Sequence, residues 1–148
     1  MEGDIVLGFI YSVVAGIFMS IQGVFNTRLG EKIGLWETNT LVQGIGFIIT
    51  LIIMLFAGEG NIKNITTANK LYLLGAPLGV GITFTVMQGI GKLGPAYATS
   101  AILIAQLLFS GIIEGLGLFG SEKIHFGITK ILGFIILIIG ILVFKWNK

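Results

Sequence analysis

The feature that most constrains this chain is a series of unbroken apolar runs, plainest in Ile45–Ala57 and Ile131–Phe144 with their flanks. With flanks they reach about 20 residues, enough for a helix to cross the roughly 30 Å hydrocarbon layer of a bilayer. The mean hydropathy is +1.00, and 55% of residues are hydrophobic against 11% charged. A soluble domain of 148 residues has too much surface for its volume to hide so much apolar area. Lipid is therefore the solvent for these side chains. Lipid leaves no water to satisfy backbone N–H and C=O groups, so only helices or a closed barrel can span it. Barrel strands alternate apolar and polar residues, whereas these runs are continuous. An all-α membrane protein follows.

A hydrocarbon-length criterion predicts five transmembrane helices in a single membrane domain, 1–148. The spans are 5–27, 37–57, 71–90, 95–118 and 128–144. Arg28, Glu31 and Lys32 stop the first. A polar loop, Gly58 to Lys70, follows the second, and Thr66 or Thr67 is placed to cap the third. Gly91-Lys92-Leu93-Gly94-Pro95 reads as a tight turn with Pro95 at the first position of helix four. Gly120-Ser121-Glu122-Lys123 leads to helix five, where Lys130 can snorkel to the interface. Trp36, Tyr72, Tyr97 and Trp146 fall at span ends, where amphipathic rings favour the headgroup level. The acidic start, Met1-Glu2-Gly3-Asp4, lacks the positive charge of a secretory signal, so the first run reads as a retained span.

Five spans put the termini on opposite sides. The N-terminal side then carries Lys63, Lys70, Lys123 and Lys130, and the other carries Arg28, Lys32, Lys92, Lys145 and Lys148. Orientation is set by an excess of Lys and Arg on the cytoplasmic side, and this distribution has almost none. Insertion in both orientations is the simplest consequence; the alternative is that one or two charges near the first span decide.

Polar groups in hydrocarbon are costly, face the bundle interior and often mark a transport path. Gln22 and Asn26 lie one turn apart on helix one. Thr99, Gln106, Ser110 and Glu114 follow at spacings of seven, four and four on helix four, which gathers them on one face. Gln43 and Gln88 add secondary pore-lining candidates on helices two and three. Glu114 is the acid well inside a span, and a carboxyl there can exchange a proton for a cation or carry one against a metabolite. It can equally be a helix-end charge that reaches water or pairs with Lys123. For Gln22, Asn26 and Gln106 the alternative is interhelical hydrogen bonding, worth about 1 kcal/mol per contact. Gly75 with Gly79, and Gly111 with Gly115, have the small-xxx-small spacing of close helix packing. Pro77 either kinks helix three or sits in its first turn.

Other chemistries find no support. The nine Lys and Arg residues form no basic run, so there is no footprint for nucleic acid. With no cysteine and one histidine, His125, there is no zinc set, no Ser–His–Asp arrangement and no sign of a cofactor. Gly89-Ile90-Gly91-Lys92-Leu93-Gly94 fits G-x-G-x-x-G but closes a membrane helix and follows no strand, so it is not a dinucleotide loop.

The chain resembles the small YdcZ-like branch of the drug/metabolite transporter superfamily. The resemblance rests on Gln22-Gly23-Val24-Phe25-Asn26 followed by Leu29-Gly30, and on Gln106-Leu107, Ser110, Glu114 and Gly115. The family usually has an aspartate at the position of Glu114 and a His-Phe-Gly-like sequence after it, where this chain has Gly115-Leu116-Gly117. The resemblance implies an exporter of the bacterial inner membrane. It also implies a dual-topology dimer, in which two five-helix copies form an antiparallel ten-helix inverted repeat. In such a pair Glu114 of one copy shares a depth with Gln22 and Asn26 of the other. The resulting expectation is a secondary transporter, not an enzyme. It would move a small metabolite or organic cation, coupled to protons, with a second copy or a similar chain as partner. The rival reading is a non-transporting subunit that packs against and regulates a larger membrane complex.

Overall fold

A computed structural model describes residues 2–124 and 127–146. His125 and the charge assigned to Lys148 lie outside the described residues. Among these the structure is helical, without strands. The helices are α1 (Glu2–Ile33), α2 (Leu35–Ala57), α3 (Gly75–Leu93), α4 (Pro95–Leu116) and α5 (Ile128–Lys145). Among the described residues, four stretches have the length and apolarity to cross a membrane: Gly3–Ile33, Leu35–Ala57, Lys70–Leu93 and Pro95–Leu116. α5 is shorter, 18 residues, or about 27 Å at 1.5 Å per residue. The chain divides into two units, Met1–Lys92 and Leu93–Lys148.

In the first unit α1 runs past the predicted stop at Arg28. Charge marks where a chain leaves hydrocarbon, but it does not break i→i−4 bonding. Arg28 and Glu31 pair at 3.1 Å across one turn, which supports helix there. The break comes at Gly34, whose φ of 103° only glycine adopts without strain. α2 starts at the next residue. Its Trp36 ring stacks on Phe84 of α3, with centroids 4.5 Å apart, so this interfacial aromatic also fastens two helices.

The 58–70 loop is more ordered than its polarity suggests. It holds short 3₁₀ turns at Ile62–Thr66 and Lys70–Leu74, the second leading directly into α3. Neither Thr66 nor Thr67 caps the third helix. Their hydroxyls donate backwards to Lys63 O at 3.1 Å and Asn64 O at 2.8 Å. Asparagines cap instead: Asn61 Oδ1 accepts from Lys63 N and Asn69 Oδ1 from Leu71 N, each at 3.0 Å. The planar amide of Asn, its oxygen one bond farther from the backbone, reaches the N–H two residues on, whereas the Thr hydroxyls are turned to carbonyls of the preceding turn. Pro77 falls in the first turn of α3.

α1 meets α3 where Gly23 removes a side chain. A Cβ on Gly23 would stand 2.7 Å from Ile90 Cδ1 and 3.2 Å from Val86 Cγ1. Met87, Ile90, Gly23 and Gly30 are buried here.

In the second unit, the predicted five-residue turn shrinks to Gly94 alone, at φ 79°. α3 continues through Leu93, and Pro95 occupies the first turn of α4. Pro needs no N–H partner at that position. α4 ends two residues before the predicted limit, at Leu116, because Gly117 takes the left-handed conformation, φ 66° and ψ 37°. This is the common glycine stop. The Ile124 N–H then returns to Glu114 O at 3.0 Å, folding the α4–α5 connection back over the helix end.

Candidate functional site

Among the described residues, the second unit holds an ion pair beside a groove and the first holds several buried polar side chains. In the second unit, Glu114 lies in the last turn of α4 and Lys130 in the first turn of α5. Lys130 Nζ donates to Glu114 Oε2 at 3.2 Å, with the side chains 40% and 44% exposed respectively. The cation beside Glu114 is therefore Lys130, sixteen residues away, and not Lys123 of the connecting turn. Nor does Lys130 simply snorkel: the α4–α5 packing brings its ammonium to the carboxylate.

The pair closes one end of a groove of about 290 Å³, lined otherwise by Leu107, Ser110, Gly111, Gly133, Phe134 and Leu137. Gly111 is buried and, with Gly133, it lets the helices flank a gap rather than fill it. The hydroxyls of Thr99 and Ser100 bond back to the α4 carbonyls of Pro95 and Ala96 at 2.7 and 2.8 Å. Among the described residues Ser110 makes no such bond, so its hydroxyl is available to the groove. The expected stripe on α4 is thus divided: Ser110 and Glu114 line the groove, while Gln106 and Thr99 do not. A second groove of about 550 Å³ is lined by Gly111, Gly115, Phe134 and apolar residues alone.

In the first unit the polar residues are far better buried. Asn26 is 7% exposed, Thr27 5%, Thr38 0% and Asn39 2%. Asn39 Nδ2 donates to Val80 O of α3 at 2.9 Å, and Thr27 Oγ1 donates to Gly23 O at 2.7 Å. Thr38 Oγ1 and Asn39 Oδ1 are buried without a hydrogen-bond partner among the described residues. Asn26, expected from the sequence, is among these buried polar residues. Gln22, one turn earlier, is exposed, as are Gln43 and Gln106, while Gln88 is half-buried. Sequence reasoning passed over Thr38 and Asn39, which read as the polar start of α2. Their signal lies in the helical spacing of Thr38 and Asn39 with Val42 and Gly46, which are less exposed than the residues around them.

Of the proposed packing glycines, no described atom lies within 4 Å of where a Gly75 Cβ would stand, and Gly79 has only Gln43 Nε2, at 3.8 Å. Gly111 and Gly115 border the grooves of the second unit. Among the described residues no group of three or more His, Cys, Asp and Glu side chains is placed to hold a metal.

Compared with known proteins, residues 7–143 match a family model described as "Putative inner membrane exporter, YdcZ". No curated protein and no solved structure matches the chain significantly.

Proposed function

The chain belongs to the YdcZ family of inner-membrane exporters, and from that premise we propose that it is a secondary active transporter that exports a small metabolite or organic cation against protons. It is a multi-pass inner-membrane protein, and the family match over nearly its whole length carries the transport reading. The coupling element is Glu114. When its carboxylate is charged it holds Lys130. When it takes up a proton the ion pair loses its attraction, freeing the ammonium and opening the polar end of the groove. Ser110 supplies a further donor there.

The working unit is an antiparallel pair of copies, or of this chain with a similar one. Gln22, Gln43 and Gln106 support this reading. They are amides within apolar spans, exposed on a single chain, and lipid is a poor neighbour for them. A second copy or an aqueous path between copies would give them partners. Asn26, Gln88 and Thr99 are the remaining candidates for that path. A regulatory subunit would need intramembrane amides for assembly as well, but not a titratable pair beside a groove.

The test compares proton-driven efflux by the wild type and by Glu114→Gln, reconstituted in vesicles, across the neutral pH range. Gln keeps the shape and can still hydrogen-bond, but it cannot release a proton. The variant should retain its fold while its transport loses pH dependence. Identical profiles would remove Glu114 from coupling and leave it a helix-end charge.

A further inference from the structure

The groove beside Glu114 and Lys130 also says what kind of molecule it accepts. Resting on the exporter reading, we infer that the substrate is a small zwitterion with an apolar body, of the kind represented by a free α-amino acid with an aliphatic side chain. The charged pair and the lining around it lead there. The polar end of the groove offers one acid and one base in direct contact, 3.2 Å apart. An organic cation that displaced Lys130 from Glu114 would face the displaced ammonium, and an anion that displaced Glu114 from Lys130 would face the displaced carboxylate. Either exchange leaves a like charge close by, and the rest of the lining carries no charge to offset it. A molecule carrying both an ammonium and a carboxylate answers both groups at once, its ammonium to Glu114 and its carboxylate to Lys130.

The rest of the lining fits the remainder of such a molecule. Leu107, Phe134 and Leu137 make an apolar wall, and Ser110 adds a hydroxyl able to donate to the incoming carboxylate. At about 290 Å³ the groove falls just below the range of drug-sized pockets, about 300–1,000 Å³. Gly111 and Gly133 line the groove, one from each helix, and the space beside Gly133 is open.

The experiment measures binding of three probes to the purified full-length protein in lipid nanodiscs: leucine, leucine methyl ester, which is a cation, and N-acetyl-leucine, which is an anion. Leucine should bind at least about tenfold more tightly than either derivative, a difference of about 1.4 kcal/mol. Glu114→Gln and Lys130→Gln should each weaken leucine binding by a similar factor. The double exchange Glu114→Lys with Lys130→Glu should restore it, because a zwitterion can turn end for end. Equal or tighter binding of the ester or the acetyl form, or binding of none of the three, overturns the zwitterion assignment. Leucine binding insensitive to both single substitutions overturns the site. Efflux of other small molecules from the same protein in vesicles keeps these failures separate, since an active exporter that ignores leucine loses only the substrate class.

Discussion

The amide of Asn39 is only half used: its nitrogen donates to Val80 O at 2.9 Å, while its oxygen is buried without a partner among the described residues. The two halves make opposite demands, and two substitutions separate them. Asn39→Asp keeps the shape but removes the donor and places a charge at a site 2% exposed. It should destabilise the protein by about 3 kcal/mol or more, the usual result of an uncompensated buried charge. Asn39→Leu removes donor and orphaned acceptor together and should cost no more than about 1 kcal/mol, the typical worth of an interhelical hydrogen bond. Denaturant unfolding in detergent micelles, followed by helical circular dichroism, reads both. A Leu variant that folds normally yet loses efflux would show that the unsatisfied oxygen serves transport. Glu114 teaches a related lesson. Its position in a span was plain from the sequence, but its partner was not. Lys123 was nearer in the chain, and the pairing with Lys130 depends on how Gly117 ends α4 and how α5 packs back.

Among the elements, α1 and α3 are held close by the absence of a side chain at Gly23. Gly23→Val would drive two methyl groups into Ile90 and Val86, and overpacking of this kind costs about 1–3 kcal/mol. Gly75→Ala meets no described atom within 4 Å and should change stability of a single chain by no more than about 1 kcal/mol. The ratio of folded to aggregated protein on detergent gel filtration, with a melting curve for each variant, checks the contrast. The spans themselves were legible because runs of about 20 apolar residues leave few alternatives. Their ends were less so. α1 outlasts its hydrophobic stretch, since charged residues continue a helix well, and the decisive Gly34 resembles the other glycines until its φ of 103° is known. The small-xxx-small spacing marks glycines that permit close approach. Which of them is used depends on the neighbouring helix, and that is a property of packing that no local pattern contains.

For the whole molecule, the balance of Lys and Arg between the two sides predicts insertion in both orientations. A C-terminal tag should be found on both faces of the membrane in comparable amounts, and two lysines added to one side should bias the population. Cross-linking in membranes should trap an antiparallel dimer, which supplies the inverted symmetry that an odd number of helices lacks alone. A wild-type chain in a single orientation, or a dimer trapped only in parallel, would overturn this arrangement. The helices also differ in reach. α1, with 32 residues, extends about 48 Å, well beyond a hydrocarbon layer of about 30 Å, so it can tilt or stand proud of bilayers of different thickness. α5 has no such surplus. Hydrophobic mismatch in a thick membrane is therefore felt first at α5, whose opening turn carries Lys130, and lipid chain length becomes a lever on the Glu114 contact.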